Sequence, residues 1–426
     1  MTAPEPDIFG PSPIPDDLRK TWLERGLPED LLHRAAALHS FGVLRRFLRW
    51  GGNNPDGVRK HLDWQERLIL GDLRGREATE NDNDAFSALM AHSPEEVGEW
   101  EITTERGPNA FAQFRLQENV NVLVLELRGV LIACCSFTHR KTIVAGQRFI
   151  VRYGQALRVH RDFRRMGYGD LVRSLGWSIG AARPSNPQYD IMRTQNFAVV
   201  GWWEKYVPDF WEDVPKKEGE VPGNRVTVLQ FAPRPFDPST GSGPAARSIR
   251  KVRPEDIPRC VQLINRTHRG LDFFRPYSAH FLERRLDDGY WGQKLPNWPK
   301  VYDWDDYYVV EEEGRVVACA GLWDRGRDAR DRWRHKETGE EKVIAVTSVL
   351  DLGFARAHEE AMARLIAFLI GETEKLGRDF LAVPLQYLPK VAQHLERYDP
   401  VAETRALRWG LREPQVTRAH IDLAYW

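Results

Sequence analysis

The feature that most constrains this chain is a residue pattern that occurs twice in the same order. Arg76 precedes Asp82 by six residues, and a run with helical apolar spacing follows (Ala85, Phe86, Leu89, Met90). Arg250 precedes Asp256 by the same six, followed by Ile257, Val261, Leu263 and Ile264. Each then carries two β-branched runs broken at glycine, a hairpin signal. Residues 121–127 turn at Arg128-Gly129 into 130–134, and 307–310 turn near Glu313-Gly314 into 315–319. Both turns open the string Gly-x-x-x-Ala-Cys, which ends at Cys134 and Cys319. Later, Glu204-Lys205-Tyr206-Val207-Pro208 is matched by Glu396-Arg397-Tyr398-Asp399-Pro400. Four matches in one order point to tandem duplication of one structural unit.

The copies are separated by residues 233–244, where four Pro, two Gly and two Ser disfavour both helix and strand. Ahead of the first copy stand three Pro-led helix starts, at Pro15-Asp16-Asp17, Pro28-Glu29-Asp30 and Asn54-Pro55-Asp56. The expected division is a helical extension over 1–72, a first domain over 73–232, a linker over 233–246 and a second domain over 247–426.

Composition narrows the function classes. Sixty-one basic residues balance 61 acidic ones, so no overall field draws the chain to nucleic acid or to a membrane surface. Its arginine runs, 45–49 and 325–334, read as solvated helix or loop faces. No apolar run reaches the roughly 18 residues of a membrane helix, and the acidic, Pro-rich N-terminus lacks the pattern of a secretory signal. Four cysteines without a C-x-x-C pair form neither a disulfide framework nor a metal site, which fits a reducing cytoplasm.

The chemistry is concentrated at one turn. Phe149-Ile150-Val151 and Ala156-Leu157-Arg158-Val159 read as strand; Leu171, Val172, Leu175 and Ile179 mark the buried stripe of a helix. Between them stands Arg164-x-x-Gly167-x-Gly169. A glycine-bearing turn at a helix start aims unpaired N–H groups and the positive dipole end at one point, which suits a diphosphate. Arg164 or Arg165 adds charge-assisted hydrogen bonds. The pattern lacks the third glycine of a dinucleotide fingerprint and the Gly-Lys-Ser/Thr of a Walker loop.

On Val159, Arg164-x-x-Gly167-x-Gly169 and, more loosely, Asn196-Phe197-Ala198 before Trp203-Glu204-Lys205, the chain resembles the GNAT superfamily of N-acetyltransferases. The resemblance implies an α+β fold with two tandem GNAT-like domains, each a mixed twisted sheet flanked by helices. It implies acetyl-CoA, or another acyl-CoA, as cosubstrate and no metal. The main chain of Leu157, Arg158 and Val159 would run beside the pantetheine arm. Amides from Arg165, Met166, Gly167, Tyr168 and Gly169 to Asp170 would hold the pyrophosphate, with Asn196 nearby. In such enzymes an amine attacks the thioester directly, backbone N–H groups stabilise the oxyanion, and a Tyr often protonates the leaving thiolate. Here Trp203 stands at the usual Tyr position, so Tyr206 is the candidate acid, although Tyr398 matches it in the second copy. Glu126 and Asp190 are candidate bases.

In the second copy the corresponding stretch, 351–358, has one Gly and no such motif, so cofactor binding is expected in the first copy alone. His358-Glu359 does not extend to a zinc motif, because Met362 stands where a second ligand would be. The aromatic-dense segment 273–308 reads as inter-domain core, or else as an acceptor pocket. The resulting expectation is a cytoplasmic acyl-CoA-dependent N-acyltransferase acting on a small-molecule amine. A protein lysine or N-terminal acetyltransferase, or a non-catalytic acyl-CoA-binding regulatory protein, are the alternatives. Oligomeric state is not legible in the sequence.

Overall fold

The computed structural model describes residues 14–38, 44, 48, 55–69, 71–164, 166–178, 188–193, 224–236, 249–287, 300–385, 387–409, 420, 422 and 423. The N-terminal extension forms α1 (Asp16–Glu24), α2 (Glu29–Ala37) and α3 (Pro55–Ile69), with Pro15 and Pro28 at the first two N-caps. They close a small core around Trp22, Leu31, Leu32 and Leu62. Helix α3 packs on the first half, where Arg67 donates to the Tyr168 hydroxyl at 2.6 Å.

The first half runs β1 (Leu73–Glu77), α4 (Asn83–Ala91), β2 (Glu95–Val97), β3 (Trp100–Arg106), β4 (Val120–Leu127), β5 (Val130–Val144) and β6 (Gln147–Val159). Helix α5 (Tyr168–Ser178), β7 (Gln188–Arg193) and β8 (Asn224–Phe231) follow. The second runs β9 (Ile249–Lys251), α6 (Ile257–Thr267), α7 (Ala279–Asp287), β10 (Tyr307–Glu312), β11 (Arg315–Trp323), α8 (Arg325–Asp328), β12 (Ala329–His335) and β13 (Glu341–Ile344). It ends with β14 (Val346–Phe354), α9 (Glu359–Lys375), β15 (Phe380–Val383), α10 (Pro389–Leu395) and β16 (Val401–Trp409).

The repeated Arg–Asp spacing has a structural cause. Arg76 grips Asp82 with two hydrogen bonds of 2.7 Å, and Asp82 accepts the Thr79 amide ahead of α4. Arg250 grips Asp256 at 2.7 and 3.0 Å, and Asp256 accepts the Arg253 amide ahead of α6. Each arginine also reaches across the sheet, to Glu126 at 3.0 Å and to Glu311 at 2.7 Å. One ion-paired cap thus ties strand to helix in both copies.

Alternation along β4 sends Val122 and Val124 to the core under α4, and Leu123 and Leu125 to the core under α5. A third, larger core fills the second half and extends into the first through Val144, Val151, Tyr153, Val228 and Phe231. Phe273, Phe274, Tyr277, Phe281, Tyr302 and Tyr307 are buried in it, so these aromatics are core; Tyr290, Trp291 and Trp298 lie outside the described residues.

The main sheet has twelve strands, in the order β1-β4-β5-β6-β7-β16-β8-β15-β14-β11-β10-β9. With β1 equivalent to β9, β6 to β14 and β8 to β16, the order reads the same from both edges, except that β8 and β16 have changed sides. The first half's last strand pairs with β15 of the second half, and the second half's last strand pairs with β7 of the first. A smaller sheet, β13-β12-β3-β2, also crosses the halves, pairing Arg106 with Ala329 through to Trp100 with His335. The arginine run at 325–334, expected to be a solvated face, therefore includes a strand. Arg332 reaches Glu105 at 2.6 Å and Glu341 at 3.1 Å. No helix among the described residues is long and apolar enough to cross a membrane.

Candidate functional site

The site begins where two parallel strands part. Among the described residues β6 pairs with β7 only at Arg152–Gln188 and Tyr153–Tyr189. Beyond that point β7 stays in the sheet by pairing with β16, from Tyr189–Trp409 to Arg193–Arg405. Strand β6 continues to Val159 on β5 alone among the described residues, so the edge of 154–159 that faces away from β5 has no described strand partner there. A bulge marks the departure: pairing shifts between Cys134 and Ser136, and Ala156 takes φ +51°. A left-handed non-glycine residue costs roughly 1 kcal/mol and is found where the backbone has a job to do.

Strand β6 ends on the glycine turn. His160 caps a short turn over Arg161–Phe163, and α5 starts at Tyr168. Gly167 has φ +81°, a conformation that favours glycine. Gly169 has neither that need nor a crowded interior: an added Cβ would meet Val159 Cγ2 at an ordinary 3.5 Å. The carbonyl of Gly167 accepts from the amides of Asp170 at 3.1 Å and Leu171 at 3.2 Å, so the first turn is closed from Asp170 onward. The amides preceding it are the ones an α-helix leaves pointing outward.

The Arg164 guanidinium points away from this turn, donating to the Pro94 carbonyl and lying 3.7 Å from Glu96. It braces the loop against β2. Arg158 is held in the same way by Glu95, which leaves its main chain as its contribution to the open edge. Met166 is half exposed beside the turn.

Of the candidate acid–base groups, Glu126 is taken up by Arg76, and Glu311 repeats that bond in the second copy; the geometry gives it a fold-holding partner. Asp190 is the first residue of β7 past the last β6 pair, which puts its backbone at the mouth of the opening. Arg165, Asn196 and Tyr206 lie outside the described residues. Tyr398 is buried under the Arg234 guanidinium, 5.1 Å from its ring centre, a packing role.

The second copy has the same opening and fills it. Strand β14 pairs with β15 from Val346–Phe380 to Ser348–Ala382, and then its bulge residue, Asp351, takes φ +52°. The Asp351 side chain is fully buried, accepting from Tyr277 at 2.6 Å and Tyr302 at 3.1 Å. Arg285 lies 3.1 Å from it and grips Asp422 at 2.9 and 3.0 Å. Burial pushes the Asp351 carboxyl up, against the pull of Arg285. Where the first copy presents the methyl group of Ala156, the second holds an ion-paired plug. Its turn is altered as well: Ala357 has the left-handed conformation, and Glu359 and Glu360 put negative charge at the start of α9. The sequence showed the missing glycines; the plug joins residues too distant in the chain to be read together. Among the described residues no group of His, Cys, Asp and Glu could hold a metal ion.

No family model matches the chain, and no curated protein matches it. Its structure is similar to Saccharomyces cerevisiae N-myristoyltransferase with bound myristoyl-CoA, with a TM-score of 0.54, 11% identity and coverage of 83% of this chain and 86% of that one. A second structure of the yeast enzyme, with myristoyl-CoA and inhibitors, gives 0.52 at 10% identity over 84% of each chain. A GCN5-related N-acetyltransferase from Sphaerobacter thermophilus gives 0.42 at 13% identity, covering 83% of this chain and 98% of that one. The fold is therefore one shared with these myristoyltransferase structures, a GNAT fold built twice in one chain.

Proposed function

We propose that the first half is an acyl-CoA-dependent N-acyltransferase site, with acetyl-CoA or another acyl-CoA lying along the open edge of β6. The observation that carries this reading is the parting of β6 from β7 just before Ala156, ending on a glycine turn at the start of α5. An extended pantetheine arm carries amide groups that suit an unpaired strand edge. The pyrophosphate suits the N–H groups at residues 166–169 and, with Arg165, the positive end of the helix. The remaining candidates, Asn196 and Tyr206, belong to the same reading.

The thioester then lies near the bulge. A neutral acceptor amine attacks its carbonyl, forming an oxyanion for backbone N–H groups to stabilise. The C–N bond forms, the C–S bond breaks, CoA leaves as thiolate, and the nitrogen loses a proton to a base or to water. Asp190 is the acidic residue whose strand position best suits that proton. The second half lends β16 to hold β7 in place, and we assign it no cofactor. Four buried, unpaired cysteines accord with a reducing cytoplasm.

The test is release of CoA thiol when the protein, an acyl-CoA and a panel of amines are mixed, with acetyl-CoA and myristoyl-CoA compared. Gly167→Asp places charge and bulk against the phosphates and is expected to weaken acyl-CoA binding more than about a hundredfold. The strain of a side chain at this φ, roughly 1 kcal/mol, leaves the protein folded. Calorimetric binding unchanged in this variant would sink the assignment. Tight binding without thiol release across the panel would favour the non-catalytic regulatory protein.

A further inference from the structure

Arg106 ends β3, and among the described residues no carboxylate forms a direct ion pair with it. It donates to the Ala110 carbonyl and to Gln113 Oε1, both at 3.1 Å, with its guanidinium over the Phe114 ring at 5.5 Å. Its buried Nε has no hydrogen-bond partner. Gln113 donates in turn to Gln155 at 3.4 Å, and Gln155 donates to Gln117. Gln155 immediately precedes the bulge at Ala156, so this polar chain runs from Arg106 to the point where the strands part.

The second half supplies another cation. Pairing of β3 with β12 sets Ala329 opposite Arg106, and Gly107 donates to the Asp328 carbonyl at 3.1 Å. That brings α8 against the turn Ala112–Leu116. The side chain of half-buried Arg325, on α8, makes no hydrogen bond or ion pair among the described residues. Burial pushes Arg106 down to about 10, and the like charges of Arg325 and Arg158 push the same way. Arg158 is held by Glu95, while Asp331, the carboxylate that acts on Arg106, is engaged by Thr104 at 2.9 Å. Two guanidinium groups held near each other with no carboxylate in direct contact are costly, and an anion between them lowers that cost.

We propose that Arg106 and Arg325 bind the anionic end of the acyl acceptor, so that the acceptor is an amine also bearing a carboxylate or a phosphate group. The inference rests on the acyltransferase reading and gives it a substrate class. Arg106 and Arg325 match the planar, bidentate geometry of either oxyanion. Gln113 and Gln155 carry the polar wall toward the bulge, which directs the far, amine end of the acceptor to the thioester.

The test is turnover of acetyl-CoA by the full chain with paired amines: ω-amino acids against their methyl esters, and phosphoethanolamine against ethanolamine. Acyl-CoA binding is measured separately by calorimetry. The expected result is a preference for the charged member of each pair, the stronger pair showing which oxyanion is used. Arg325→Gln and Arg106→Gln are expected to raise KM for the charged amines about ten- to a hundredfold, the worth of a charge-assisted hydrogen bond. KM for the neutral partners should stay level. Arg325, being half-exposed, keeps the test available if Arg106→Gln misfolds. Preference for the neutral amines, no turnover with either class by protein that binds acyl-CoA, or equal KM changes for both members overturns this inference and leaves the cofactor site standing. Absence of acyl-CoA binding overturns both.

Discussion

His268 shows how one buried residue sets the protein's response to acid. Its Nε2 bonds the Leu352 carbonyl at 2.9 Å, so that nitrogen carries the proton and Nδ1 is bare, buried and without a partner. Protonating Nδ1 would place a charge among Phe274, Tyr387 and His420, and burial pushes the pKa down to about 4. Above about pH 6.5 the ring is neutral in folded and unfolded chains alike, and it adds no pH dependence. Between about pH 6.5 and 4 the unfolded chain takes up the proton first, so stability declines as pH falls, by about 1.4 kcal/mol per unit. His420, also pushed down chiefly by burial, adds a slope of the same sign. Urea midpoints at about pH 7, 6 and 5 should fall for the native protein and fall less steeply for His268→Phe; equal slopes would refute the account. Below about pH 4 the carboxylates take over, Asp82 among them, which Arg76 holds low. The repeated Arg76–Asp82 spacing was legible because the two are close in the chain, but the ion pair it makes was not. The partner of Glu126 was not legible as such, since β1 and β4 meet only in the folded sheet, and a carboxylate read alone looks like a base.

At the scale of elements, the unfilled and the plugged openings differ in what their strand edges can do. Half of the amides over 154–159 face away from β5, and no described strand covers them, whereas the equivalent stretch of β14 carries Asp351, buried against Arg285. Hydrogen exchange with and without acyl-CoA separates the two. Protection is expected to rise in peptides spanning 154–159 and 166–170 and to stay level over 349–357. A rise of equal size in both would assign cofactor binding to both halves. The strands of the first opening could be read from the sequence because β6 and α5 bury apolar stripes. The hairpins β2–β3 and β12–β13 could not. Their strands face one another with charged residues, Arg332 against Glu105 and Glu341, so hydrophobic alternation, the main strand signal, is missing. An arginine-rich segment whose partners lie in the other half of the chain reads as a solvated face.

For the whole molecule, the exchange of last strands means that neither half is complete alone. Strand β8 pairs with β15 and β16, both from the second half, and with no strand of its own half among the described residues. Strand β16 pairs with β7 and β8, both from the first. Strand periodicity is the same whichever neighbour a strand takes, which is why two contiguous domains was the natural reading of the sequence. Cutting the chain within 237–248 would leave β8 of one fragment with two unpaired edges, and the large core without Val144, Val151 and Tyr153 on one side. Unpaired edges and exposed apolar faces aggregate rather than persist. Fragments 1–236 and 237–426 expressed separately are therefore expected to be insoluble or unfolded. Co-expressed, they should recover as a one-to-one complex that binds acyl-CoA. The intact protein should then unfold across both halves in one calorimetric transition, since β7 cannot lose β16 without opening the site it frames. Two soluble, separately melting fragments would show that each last strand can return to its own half, and that the second half is dispensable for holding the opening beside β6.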